Sequence, residues 1–244
     1  MITGIVFVLL MALLLAAKPS REALLGKSRF EWLLDLANLN IQGLLIPWLQ
    51  TGLLFMALGA LWPSARGALP LDNLSGLLLN ILLVDYLYYW NHRLMHTKKL
   101  FPVHVVHHTV TRMDVLATSR NTLWTSFFFV YLWVNGLLLY LTDLNGGFLL
   151  GMALTASLDL WKHSTSLAKR PGLQMQLSRL GLMTPMDHAW HHSSRLNTNF
   201  GANFNLFDRL HGTFVASESY PERLGVSTRL TPLQQLLFPF GGPK

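Results

Sequence analysis

Nine of the ten histidines in this chain fall in short groups whose spacing suits metal binding better than packing. The groups are His92 and His96; His104, His107 and His108; the single His163; and His188, His191 and His192. On a helix, residues three and four apart share one face, so each HxxxH or HxxHH group directs imidazoles toward a common point. Neutral imidazole is the commonest protein metal ligand, and eight or nine imidazoles exceed what one ion accepts. The spacing therefore indicates two adjacent metals.

The rest of the composition narrows the chemistry of these metals. The chain has no cysteine, which excludes disulfides, thiolate metal sites and iron–sulfur clusters. Zinc hydrolases typically combine three protein ligands with an acid/base glutamate, as in HExxH, and the sequence contains no HExxH. Two imidazole-bound irons can activate dioxygen without such a glutamate, so oxidation is favoured over hydrolysis.

The elements that must position the histidines are predicted to be membrane helices. Of the 244 residues, 51% are hydrophobic and 13% are charged, and the mean hydropathy is positive, which is too apolar for a soluble domain. The formal charge of +7 comes from scattered basic residues, which favours contact with anionic lipid headgroups over nucleic acid. We expect an integral-membrane protein.

Five apolar segments are candidate membrane spans. They are residues 1–17, 39–62, 74–90, 122–141 and 147–161, with a short turn at 142–146. The predicted fold is an all-α, integral-membrane helical bundle of about four to five transmembrane helices. A cytoplasmic helical cap, residues 91–121 and 162–244, would hold the histidine-rich dimetal site. The second and fourth segments could instead be hairpins that do not fully cross.

The basic residues predict the orientation. With the amino terminus outside, only Arg66 lies opposite the cytoplasmic face, and every histidine group falls on that face. The first segment could instead be a cleaved signal peptide, but it lacks a basic start, so an uncleaved anchor is favoured. Arg112 and Arg120 are expected to be solvated loop charges, with an anionic headgroup as the alternative partner.

The three histidine groups and two later motifs resemble a known family. The motifs are His92 to His96, Val103 to His108, His188 to His192, Asn199 to Gly201, and residues 207–214. Together they resemble the fatty acid hydroxylase and sterol desaturase superfamily of integral-membrane di-iron oxygenases. The resemblance divides the chain into a transmembrane anchor or hairpin at 1–73, a catalytic core at 74–214 and a C-terminal cytoplasmic tail at 215–244.

The resemblance implies a ligand set. Its metal ligands would be His92, His96, His104, His107, His108, His163, His188, His191 and His192. His163 matches the isolated histidine of the family, but Leu167 stands where some members have a further histidine. Nine ligands are therefore expected. One coordination position on the metals would stay open to water, asparagine or aspartate. His211 stands where the family usually has phenylalanine, and it is not predicted as a ligand.

The resemblance also implies an activity. Two iron ions, with dioxygen as co-substrate, would hydroxylate a C–H bond of a lipid; zinc could replace iron in purified protein. Electrons would come from a separate ferredoxin, cytochrome or reductase, because no nucleotide- or flavin-binding motif is visible. The expected location is a bacterial inner membrane, with the active site on the cytoplasmic face. Alternatives are a lipid desaturase on the same centre, or a non-enzymatic membrane haem or metal protein.

Several neighbouring polar residues permit two interpretations each. Asp85, seven residues before His92, and Asp159, four before His163, could orient a ligand imidazole or form a helix–helix hydrogen bond. Asp187 could orient His188 or cap a helix. Asn199 and Asn203 could bond the third histidine motif or hold loop turns, and turns are favoured.

Overall fold

The computed structural model describes residues 1–237, and these residues form helices and loops without a β-strand. One isolated antiparallel bridge joins Leu182 and Phe204. The predicted all-α class is confirmed for this part of the chain. Residues 238–244 of the predicted C-terminal tail lie outside the described residues.

The first 61 residues form two helical units. Helices α1 (Ile2–Ala16) and α2 (Lys18–Leu25) meet at a bend of 100°. Helix α3 (Arg29–Asn40) begins with a capping box at Ser28 and continues through a π-helical turn (Ile41–Leu45) into α4 (Ile46–Leu61). A π-helical turn is a recognised way to absorb a local irregularity within a helix, and this one ends two residues before Pro47.

The middle of the chain carries the helices that lead into the histidine groups. Helix α5 (Asn73–Leu79) passes through a second π-helical turn (Asn80–Val84) into α6 (Asp85–Met95), and the short α7 (Phe101–His104) follows. Helix α8 is Val130–Leu141 and α9 is Gly146–Lys162. Between α8 and α9, Asp143 and Leu144 adopt φ of +48° and +60°, and Asn145 caps α9. The predicted turn at 142–146 is therefore confirmed.

The predicted span at 122–141 is wrong in its first half. Residues 122–129 form turns and a 3-10 segment (Thr125–Phe128), and only Val130–Leu141 is α-helical. Hydroxyl groups explain the difference, because they compete with helical backbone hydrogen bonds. Thr125 donates to the Val103 carbonyl, and Ser126 donates to the side chain of Gln42.

The last third consists of short helices joined by structured loops. They are α10 (Pro171–Arg179), α11 (Pro185–His191), α12 (Leu206–Leu210) and α13 (Pro232–Leu237). The described part of the predicted tail packs on the core: Leu230 is buried against Val105 and Val106. The Gly225 and Val226 amides donate to the carbonyls of His192 and His108, so this segment covers the histidine groups.

By length and composition, one continuous helix among residues 1–237, Arg29–Leu61, could cross a membrane. The bent pair α1 and α2 would provide a second span if both helices act together. Only 11% of the most apolar window of the long helix is buried inside the protein, so its apolar side chains face outward. The prediction of four to five spans remains a prediction.

Helix packing gives the bundle two distinct ends. Helix α9 packs against α5 and α1, and α4 packs against α8. One end carries the loops around Arg66 and Asp143, whose side chains pair at 2.8 Å. The histidine groups lie at the other end of the bundle, where α6 ends at Met95 and α9 ends at Lys162. Arg66 thus lies at the end of the bundle opposite the histidine groups. The orientation of this bundle in a membrane stays a prediction.

Candidate metal centre

The structure brings the nine predicted histidines together in two adjacent groups. The five-histidine group consists of His92, His96, His104, His108 and His191. The four-histidine group consists of His107, His163, His188 and His192. Within each group, the candidate ligand nitrogens all lie within 4.8 Å of one another.

Each HxxHH motif is divided between the two groups. In the second motif, His104 and His108 enter the five-histidine group while His107 enters the other. In the third, His188 and His192 enter the four-histidine group while His191 enters the five-histidine group. The spacing predicted that each motif would direct its imidazoles to one point; instead, each motif contributes to both groups. The groups meet where the His108 and His192 rings stack, with centroids 4.7 Å apart.

The distances between ring nitrogens suit metal ligation. Nε2 atoms are 3.1 Å apart in the His92–His104 and His96–His108 pairs. They are 3.0 Å apart in the His163–His188 pair, and 3.4 Å between His107 and His163. Metal–imidazole bonds of about 2.1 Å would place neighbouring ligand nitrogens roughly 3.0–3.4 Å apart.

One buried nitrogen gives a further test of fit. Nδ1 of His191 bonds to the Thr198 carbonyl at 2.7 Å, whereas its Nε2 is buried without a partner. A buried polar atom without a partner is costly. A metal accepted by the five-histidine group would satisfy it, so the residues present fit a bound cation.

Backbone carbonyls fix four of the nine rings. The Nδ1 atoms of His92 and His163 lie 2.8 Å from the carbonyls of Phe200 and Asp159. Nδ1 of His107 lies 3.1 Å from the Arg120 carbonyl. A ring that donates Nδ1–H to a carbonyl keeps the Nε2 lone pair for a metal, which sets both tautomer and direction.

Burial keeps these imidazoles neutral. It lowers the pKa of every histidine in both groups below the usual value, and neighbouring imidazoles or Lys162 add to the effect. Burial lowers the pKa of His104 to about 3, and the nearby His163 adds to the shift. Metal binding requires the neutral form, so protons compete weakly for these nitrogens near neutral pH.

Of the three aspartates singled out in the sequence, Asp159 is the one that contacts a ligand ring, with its carboxylate 3.7 Å from Nδ1 of His163. Asp85 is buried and accepts from the Asn203 amide at 3.0 Å, so it holds the loop after the third histidine motif. The Asp159 carboxylate pairs with Lys162 at 3.0 Å, while its carbonyl is the group that orients His163. Asp187 forms a capping box with Thr184, which confirms the capping interpretation.

The asparagines act over longer distances than a turn requires. Asn199, with φ of +54°, donates to the carbonyls of Asp187 and Val215 and accepts from the Val215 amide. Asn203 donates to the hydroxyl of Thr155 on α9 at 2.9 Å. Both residues join separate segments around the site, so the expectation of simple turns is too narrow.

His211 joins neither group. Its ring stacks on Tyr89 with centroids 5.2 Å apart and lies close to Trp90. Its exclusion from the ligand set stays a prediction.

Two buried charged residues were missed as supports of the site. Asp208 accepts from the amides of Phe200 and Gly201 and from the Thr213 hydroxyl. Arg120 was expected to be a solvated loop charge, but the residue is only 3% exposed. Its guanidinium donates to the carboxylate of Asp35 on α3. Spacing along the chain gives no indication of a partner 85 residues away.

A pocket opens onto both histidine groups. Its cavity volume is about 50 Å³, and His92, His104, His107 and His163 are among the residues that line it. The remaining lining is mixed: Tyr88, Phe129 and Tyr131 provide aromatic surface, and Asn91, Thr118, Asn121 and Asp159 provide polar groups. A substrate atom in this pocket would lie next to the metals.

Comparison with known proteins follows the same region of the chain. The fatty acid hydroxylase family model matches residues 77–213, more than half of the 244 residues. An ornithine lipid hydroxylase of Rhizobium tropici is 33% identical over 142 residues, which cover 56% of this chain and 40% of that relative. The match thus spans well under two thirds of the relative. No solved structure matches this chain significantly.

Proposed function

This chain belongs to the fatty acid hydroxylase family, within the fatty acid hydroxylase and sterol desaturase superfamily, and from this premise we propose that it is a membrane-bound non-haem di-iron oxygenase. It would hydroxylate a C–H bond of a lipid with dioxygen and electrons from a separate donor. The single observation that carries the proposal is the pair of adjacent, buried all-histidine groups beside one pocket.

The histidines would hold one iron in each group. Bound there, two irons would supply the dioxygen activation and the oxidising power that an unactivated C–H bond requires. The chain contributes neutral imidazoles in fixed directions, four of them held by backbone carbonyls. The four-histidine group has one ligand fewer, so its metal is the better placed to accept a further ligand from the pocket.

The pocket would orient the lipid. Tyr88, Phe129 and Tyr131 can pack along an aliphatic segment, while Asn91 and Asn121 can contact a polar group. The relative in Rhizobium tropici is named as an ornithine lipid hydroxylase. A polar membrane lipid is therefore the substrate class that we propose to test first.

The apolar outward face of Arg29–Leu61 supports an integral-membrane location. The pattern of basic residues supports a site on the cytoplasmic face of the membrane. A lipid substrate would then enter from the bilayer, and a soluble or membrane-bound electron donor would approach from the cytoplasm.

The proposal is tested by lipid mass spectrometry of aerated cells that produce the intact chain, His107→Ala or His211→Ala. We expect a lipid one oxygen heavier with the intact chain and with His211→Ala, and none with His107→Ala. His211→Ala is the matched control because the same side chain is removed outside both histidine groups.

Two other outcomes would change the assignment. A lipid lacking two hydrogens, again dependent on His107, would identify a desaturase. No mass change and no dioxygen consumption by purified, iron-loaded protein supplied with polar lipids and a chemical reductant would contradict the oxygenase proposal.

A further inference from the structure

A buried network of four charged side chains lies beside the four-histidine group. Lys27 Nζ is 2.6 Å from carboxylate oxygens of both Asp35 and Asp114. Arg120 binds Asp35 with two hydrogen bonds, at 2.5 and 2.7 Å. All four side chains are at most 7% exposed, and the two positive and two negative charges balance. We call these residues the charge network.

Such an arrangement is costly unless each charge has its partners. Buried ions lose their hydration, and only close, well-directed pairing compensates for the loss. Asp35 has both oxygens occupied, and Arg120 uses the planar fork of its guanidinium, a geometry that lysine does not reproduce. Removal of one charged side chain would leave the buried charge of its partner without a compensating charge.

The charge network fixes both ends of one short segment. Asp114 caps the 3-10 turn Val115–Ser119 by accepting from the Leu116 and Ala117 amides, and Arg120 directly follows this turn. Lys27 and Arg120 connect the two ends to Asp35 on α3. The position of the Arg120 main chain is thereby tied to α3.

The Arg120 main chain in turn contacts a histidine of only one group. Its carbonyl is 3.1 Å from Nδ1 of His107, which belongs to the four-histidine group. In the five-histidine group, the carbonyls that hold rings belong to Thr198 and Phe200, in a different loop. Lys27 and Asp35 also lie outside residues 77–213, the region matched by the family model.

We propose that the charge network is a positioning device for the metal of the four-histidine group. Asp35 and Arg120 act through the Arg120 carbonyl on His107, so this group's affinity for its metal depends on the network. The affinity of the five-histidine group does not. The inference rests on the proposed function only in taking each histidine group to hold one metal.

Metal titration of the full chain in detergent tests this inference. Metal-free protein is titrated with Co²⁺ under anaerobic conditions, and bound metal is followed by visible absorption and elemental analysis. The intact chain should bind two equivalents. Asp35→Asn should weaken one equivalent by about 10–100-fold, the usual effect of removing a group that orients a metal ligand, and leave the other unchanged.

Two further variants separate positioning from general stability. Asp143→Asn makes the same chemical change in an ion pair at the other end of the bundle, where both side chains are more than half exposed. This variant should bind both metal equivalents as tightly as the intact chain does. Arg120→Lys keeps the charge but loses the planar fork, so it should restore part of the affinity lost in Arg120→Gln. A purely structural role would not produce this graded change in one equivalent.

The possible results are distinguishable. Binding of fewer than two equivalents by the intact chain would contradict the proposed function, whereas equal weakening of both equivalents in Asp35→Asn, or no weakening, would overturn the inference. If Asp35→Asn does not fold, Asp35→Asn combined with Arg120→Gln keeps the network neutral and should show the same selective loss. Failure of this double variant to fold would assign the charge network to global stability and also overturn the inference.

Discussion

Asp208 shows how a residue without a metal-ligand role can determine the position of a ligand. Its carboxylate accepts from the Phe200 and Gly201 amides at 2.8 and 2.7 Å, and the Phe200 carbonyl accepts from His92. The side chain is fully buried, and this burial raises the pKa of Asp208 although its hydrogen-bond donors lower it. The Asp208 carboxylate thus supports the five-histidine group through one peptide unit.

We expect Asp208→Asn to destabilise the protein and to weaken metal binding by the five-histidine group. An amide cannot accept from both backbone donors in the same geometry, and one buried donor left without a partner costs about 1–3 kcal/mol. The thermal unfolding midpoint and the Co²⁺ titration measure the two effects. Glu218→Gln, at an exposed position in the same half of the chain, is the control. An unchanged midpoint with two unchanged equivalents would show that the loop is held by other contacts.

The contrast between His107 and Arg120 defines what sequence can predict at this scale. The predicted ligand histidines recur at helical spacing, so their pattern is local, and the structure brings all nine into two adjacent groups. Arg120 lies near the same motif, but its environment depends on Asp35, which folding brings from α3. Asp85 was expected to orient a ligand imidazole or to form a helix–helix hydrogen bond, whereas its partner is the Asn203 amide, 118 residues away in a loop.

At the scale of helices, close packing of α9 against α5 holds His163 relative to His92. Gly147 and Gly151 lie one turn apart on α9 and face α5. A Cβ atom at Gly151 would lie 2.7 Å from Cβ of Asn80, and one at Gly147 would overlap the Asn73 backbone. Small residues at this spacing allow membrane helices to approach closely.

Gly151→Ala should therefore lower stability despite the higher helix propensity of alanine. The added methyl group must displace Asn80 or separate the helices, and such overpacking typically costs about 1–3 kcal/mol. Gly52→Ala is the matched control, because a Cβ atom on α4 at that position meets nothing within 4 Å. Thermal unfolding followed by size-exclusion chromatography should show a lower midpoint for Gly151→Ala alone. Equal midpoints for both variants would mean that α5 and α9 can separate without cost.

Helix boundaries were less predictable than helix existence. Hydropathy placed a span over residues 122–141, but Thr122, Thr125 and Ser126 use their hydroxyl groups to hold a non-helical segment. The turn at 142–146 was predictable because its Asn-Gly sequence favours a turn locally. Side-chain hydrogen bonds to distant partners such as Gln42 leave no comparable pattern in the sequence.

For the whole molecule, the histidine groups connect segments that are far apart in the chain. The five-histidine group joins α6, α7 and α11, and the four-histidine group joins the end of α9 to α11 and to the segment after α7. Nε2 atoms from these segments converge without apolar packing between them: those of His96 and His108 are 3.1 Å apart, and those of His188 and His192 are also 3.1 Å apart. The metal-binding half of the fold therefore depends on ligation more than the packed helix pairs α4–α8 and α5–α9 do.

Metal removal should consequently destabilise the protein in a localised way. A ligand at a hundred times its Kd stabilises the folded state by about 2.7 kcal/mol, which for a chain of this size corresponds to roughly 5–10 °C in Tm for each metal. We expect a chelator to lower the unfolding midpoint by at least this amount and readdition of iron to restore it. Hydrogen exchange should show the loss of protection in residues 91–121 and 185–215, with α4 and α8 little changed.

Since each HxxHH motif contributes to both groups, His107→Ala should lose part of the metal-dependent shift in the unfolding midpoint and retain the rest. A midpoint that is the same with and without metal, with metal content verified by elemental analysis, would mean that helix packing alone preorganises all nine imidazoles.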